Sequence, residues 1–63
     1  MKAKIQQAAD YSVNLCLDHV EATGTVRLQF ISNYGDRPER PMLDMHMTRE
    51  DFRRLKLAIE KFE

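Results

Sequence analysis

Pro41-Met42-Leu43-Asp44-Met45-His46-Met47-Thr48 is the stretch on which the fold turns, because it reads in two ways. By composition, three methionines, an aspartate and a histidine within eight residues suggest a soft-metal site. By pattern it is a strand, with Leu43, Met45 and Met47 on one face and Met42, Asp44 and His46 on the other. Alternation separates Met45 and Met47 from Asp44 and His46, and a thioether with a carboxylate suits no single ion well. The strand reading is preferred, with Met45 and Met47 in the core, and neither a metal nor another cofactor is expected. Pro41 cannot donate to a sheet ladder and is expected at the start of a strand on the sheet edge.

From Thr48 onward the chain reads as a helix. Thr48 can accept from the amide of the third helical residue while Asp51 reaches back, a short version of the capping box in which the cap alone contributes about 1 kcal/mol. Met47 and Phe52 occupy hydrophobic-staple positions. Phe52, Leu55, Ile59 and Phe62 then recur at helical spacing, with Ala58 at the margin of their stripe. This stripe is expected to cover the apolar face of a sheet. Opposite it, Glu50 with Arg54 and Lys56 with Glu60 are spaced for surface ion pairs.

Toward the N-terminus, Tyr11 to His19 alternates, with Tyr11, Val13, Leu15 and Leu17 inward and Ser12, Asn14, Cys16 and Asp18 outward. Glu21-Ala22-Thr23-Gly24 supplies a turn in which Gly24 can take positive φ. Thr25 to Ser32 alternates again, with Val26, Leu28 and Phe30 inward and Thr25, Arg27, Gln29 and Ile31 outward. Asn33 to Pro41, with two prolines and a glycine, reads as a long exposed loop. Before Tyr11 the reading stays open: Ala3, Ile5 and Ala9 are in phase with the first strand, yet Lys, Gln and Ala form strands poorly, so a helical turn fits equally well. The expected fold is α+β, one domain over 1–63, with a three-stranded antiparallel meander and a C-terminal helix packed on one face.

Sixty-three residues leave room for a single small core. Such a chain buries only roughly 60% of the surface that its unfolded form exposes, so a staple is needed. One cysteine, Cys16, cannot form an internal disulfide, which points to self-association as a homodimer and to a reducing, cytoplasmic setting. No apolar run has the length of a bilayer span or a signal-peptide core, and no membrane partner is expected.

Ten basic and ten acidic residues cancel, so no net field draws the chain to a polyanion and recognition must be local. Catalysis finds little support: Cys16 and His46 would sit two strands apart, about 9 to 10 Å, and His19 points to the other face from Cys16. Two surfaces are left as partner-binding candidates. One is the loop, with Tyr34, Asp36, Arg37 and Arg40. The other is the helix face where Arg53, Arg54 and Lys61 surround Leu57. The outer sheet face, with Asn14, Cys16, Arg27, Gln29, Ile31, Met42, Asp44 and His46, is polar with apolar spots, which suggests partial burial, for instance against a second copy.

The ending Met45 to Ile59, MHMTREDFRRLKLAI, is similar to the last strand and helix of the single-stranded-DNA-binding domain of the transcriptional positive cofactor and its bacterial relatives. The likeness spans the last third of the chain, and Leu43 and Asp44 stand where that family has a lysine-glycine pair. It implies a small dimer that binds single strands across its sheet, here through Arg27, Arg37, Arg40 and the helix cations. In size, neutrality and lack of catalytic groups the chain also resembles, in type, the small phage and mobile-element inhibitors that include anti-CRISPR proteins. The expected function is a non-enzymatic protein-binding module, an inhibitor or adaptor of a larger complex, with dimeric single-stranded nucleic-acid binding as the alternative.

Overall fold

The computed structural model describes residues 1–62. Four strands and one helix follow in order: β1 (Lys2–Gln7), β2 (Tyr11–Val20), β3 (Thr25–Tyr34), β4 (Arg40–Thr48) and α1 (Arg49–Phe62). The sheet is an antiparallel meander in the order β1-β2-β3-β4. It has four strands where the sequence predicts three, because the open question before Tyr11 resolves as strand. β2 would otherwise present an unpaired edge, and a ladder of backbone hydrogen bonds outweighs the poor strand propensity of Lys, Gln and Ala. Ala3 lies opposite Leu15 and is half-buried, in phase as expected, whereas the register shift between Lys4 and Gln6 leaves Ile5 exposed.

β2 and β3 form the longest ladder, unbroken from Tyr11 opposite Tyr34 to Val20 opposite Thr25. At its closed end Gly24 adopts φ of 66°, and the amides of Thr23 and Gly24 donate to the carbonyls of Val20 and Glu21. β3 continues two residues past Ser32, so the predicted long loop shrinks to residues 35–39. Gly35, at φ of 56°, makes that turn and donates to the carbonyl of Asp10 at 2.6 Å, tying the two turns at this end of the sheet together.

β4 is an edge strand, as Pro41 requires, and its ladder shifts register between Phe30 and Ile31: Leu43 pairs with Phe30 and Pro41 with Ile31. Met42 is thus an extra residue in a bulge, which re-aims its side chain. The expected grouping of Met42 with Asp44 and His46 on the outer face is therefore wrong. Met42 Sδ takes the hydroxyl of Tyr11 at 3.7 Å, on the inner face. The bulge breaks the strict alternation on which the grouping rested.

Thr48 caps α1, accepting from the Asp51 amide at 3.0 Å. The reciprocal half of the capping box is replaced, since the Asp51 carboxylate takes Arg54 instead. α1 packs over β3 and β4 but covers less than the sequence predicts. Val13, Val26 and Leu28 are buried, and Leu15, Leu17, Phe30, Met47, Phe52 and Leu55 are half-buried. Leu43 and Met45 remain 38% exposed, Ile59 62% and Phe62 92%. These four expected core residues are not a core in the single chain, because a 14-residue helix anchored at one strand edge leaves much of the sheet uncovered.

Candidate functional site

The candidate residues fall into two clusters that begin at opposite ends of the sheet. The 35–39 turn precedes Arg40, while α1 starts after Thr48, a strand length of about 30 Å away. They do not form one site.

At the turn end, Tyr34 is the last residue of β3 and faces Tyr11 across the ladder, with ring centroids 5.5 Å apart and planes tilted by 59°. The guanidinium of Arg37 sits 5.8 Å from the Tyr34 centroid, on a turn closed by the Arg37 amide donating to the Tyr34 carbonyl at 3.0 Å. Ser32, Tyr34, Arg37, Pro38, Glu39 and Arg40 line a cleft of about 440 Å3. Ser32 Oγ donates to the Arg40 carbonyl at 3.0 Å, fixing the cleft wall, and Glu39 reaches Lys2 of β1 at 3.9 Å. Three of the four expected loop residues, Tyr34, Arg37 and Arg40, thus converge, while Asp36 is exposed and outside the lining.

Sequence reasoning missed Tyr11, Ser32 and Met42 as supports of this cleft. The signal was present for the tyrosines: Tyr34 continues the Val26, Leu28, Phe30 phase, so a longer third strand would have set it opposite Tyr11. Tyr34 is half-exposed at the end of the inner face.

On the helix, Leu57 is exposed and lies opposite the apolar stripe, as expected. Arg54 is not free: it pairs with Glu50 and Asp51, both at 3.0 Å. No Lys56–Glu60 pair forms among the described residues. Lys56 instead lines a groove between helix and sheet. Arg53 and Lys61 remain as exposed basic neighbours of Leu57.

The outer sheet face is internally paired. Arg27 and Asp44 form a two-pronged ion pair, Gln29 Nε2 donates to the same carboxylate at 3.3 Å, and Thr25 Oγ1 is 3.5 Å from His46 Nδ1. The hydrogen bond from Arg27 holds the Asp44 carboxyl below the usual aspartate range, and that same bond raises the Arg27 guanidinium. Arg27 is thereby engaged and does not join Arg37 and Arg40. Cys16 is half-buried, with Lys2 and Gln29 as its cross-strand neighbours, two strands from His46.

No family model, curated protein or solved structure matches this chain. Among the described residues no helix is long and apolar enough to cross a membrane.

Proposed function

We propose that the chain is a non-catalytic protein-binding module, an inhibitor or adaptor acting on a larger complex, with Tyr34 and Arg37 as its anchor. The observation that carries this reading is the half-exposed Tyr34 ring held between Tyr11 and Arg37 on a turn latched by Gly35 to Asp10. Tyrosine and arginine are the residue types on which binding energy concentrates, and an anchor already ordered loses little entropy on docking. Arg40 extends the same ledge, and Arg53, Leu57 and Lys61 offer a secondary contact for an acidic surface. The single unpaired thiol supports action in a reducing compartment such as the cytoplasm.

The test is affinity capture from the native host, with mass-spectrometric identification of what is retained. Replacing Tyr34 and Arg37 with alanine should preserve the far-ultraviolet spectrum and weaken capture by about tenfold or more. Capture unchanged by that double substitution would remove the ledge from the reading. Reversing Arg53 and Lys61 to glutamate, which leaves the pairing of Arg54 with Glu50 and Asp51 intact, tests the helix face in the same way.

One observation favours a second reading. An aromatic ring beside two arginines is a surface on which bases of a single strand stack. Zero net charge weighs against it. Titration of a labelled oligonucleotide at low ionic strength decides, since such binding would fall steeply as salt rises.

A further inference from the structure

We propose that the inner apolar face is completed by a second copy of this chain, each protomer's helix end seating in the groove of the other. Between α1 and the sheet runs an open groove of about 420 Å3, lined by side chains that include Leu15, Phe30, Leu43, Met45, Leu55 and Ile59. Among the described residues, Lys56 is the single charged one along it. Beyond the groove the same helical stripe ends in Phe62, 92% exposed.

The size of the deficit matches one partner. A folded monomer of 7.4 kDa exposes about 4,200 Å2 by the usual relation between surface and mass, whereas this chain exposes 5209 Å2. The excess of roughly 1,000 Å2 is close to the share of about 800 Å2 that each partner contributes to a stable interface. The radius of gyration agrees, at 13.3 Å against about 11 Å for a compact chain of this length.

Self-association fits better than another occupant because the chain carries both halves of the contact. Phe62 projects as an apolar knob at the end of the helical stripe whose Leu55 and Ile59 line the recessed groove over Leu43 and Met45. A twofold axis satisfies both at once. Zero net charge removes repulsion between copies. The other routes to a dimer are blunted: β4 carries Pro41 and a bulge along its free edge, and β1 carries Lys2 and Lys4. The outer face, where the sequence suggests a second copy, already has Arg27, Gln29, Asp44, Thr25 and His46 paired among themselves.

Sedimentation equilibrium of the full chain over micromolar concentrations tests the proposal. The expected species has twice the 7.4 kDa chain mass. Phe62→Glu and Met45→Glu should each raise the dimer dissociation constant by about tenfold or more, while Asn14→Asp on the outer face, opposite Lys4, leaves it unchanged. A monomer at hundreds of micromolar, or a dimer insensitive to both groove variants, overturns it. Isotope-filtered nuclear Overhauser spectra on mixed labelled and unlabelled wild-type chains keep the test independent of variant folding. Intermolecular contacts from the Phe62 ring to Leu43 or Met45 methyls are expected, and their absence from a dimer's spectra also overturns it. Neither measurement involves Tyr34 or Arg37, so the result stands apart from the partner-binding reading.

Discussion

The guanidinium of Arg27 grips the carboxylate of Asp44 with two hydrogen bonds, Nε to Oδ1 at 3.0 Å and Nη2 to Oδ2 at 2.7 Å. The pair joins the central strand β3 to the edge strand β4 on the outer face, beside the bulge where backbone pairing is disrupted. It therefore helps to set the register of the strand that carries the helix.

Its effect on stability should depend on pH in one direction. The Arg27 hydrogen bond lowers the Asp44 carboxyl below its ordinary value of about 3.9, so the pair stabilises the fold fully above that value and ceases to as pH falls through the lowered one. Thermal melts of wild type and Asp44→Asn should differ modestly at neutral pH, with wild type higher, begin to converge as pH falls below about 4, and meet only below the lowered value. Melting curves that stay parallel throughout would show that the carboxylate's charge contributes nothing.

Thr48 accepts from the Asp51 amide with no second cap behind it, since Asp51 is turned to Arg54. Thr48→Ala should cost about 1 kcal/mol in urea unfolding, and Thr48→Ser should recover most of that. Equal losses for the two variants would assign the effect to the threonine methyl instead.

Among the described residues Leu28 is buried with only Val13 and Val26 for company, and Leu57 lies on the solvent side of the helix. Leu28→Ala should cost about 2 to 5 kcal/mol, enough to unfold a domain whose core supplies about 3 to 5 kcal/mol. Leu57→Ala should fall within about 0.5 kcal/mol of wild type. Circular dichroism with urea titration separates the two.

Gly24 holds φ of 66° with nothing within 4 Å of where a Cβ would stand. The cost of Gly24→Ala is then backbone alone, about 1 to 2 kcal/mol. Gly24→Asn should cost less, because asparagine tolerates the left-handed region better. Equal melting temperatures for the two variants would contradict this.

Much of the architecture is legible in the residues alone. Alternation from Tyr11 and from Thr25 locates β2 and β3 with their inward faces, Gly24 locates the turn, Pro41 places β4 at an edge, and Thr48 marks the start of α1. The failures share a cause, in that each depends on what lies opposite a residue rather than beside it in the chain. β1 exists because β2 had an edge to offer. Met42 changed face because the β3–β4 ladder admits one more residue on β4. Tyr34 looked like loop because Asn33 and Gly35 flank it, yet its pairing with Tyr11 keeps it in the strand and builds the ledge.

The sequence by itself determined the periodicities, the caps and the turns, since these rest on local sterics and local hydrogen bonds. Tertiary structure alone decided which apolar residues found cover. The stripe Phe52, Leu55, Ile59 and Phe62 announces a buried face whatever its partner, because hydrophobic burial is non-directional and names no particular surface. Only the placement of α1 along the edge strand shows that Phe52 and Leu55 are half-covered while Ile59 and Phe62 stay exposed. The same geometry moves the incomplete surface from the outer face, where Arg27 and Asp44 satisfy each other, to the groove beneath the helix.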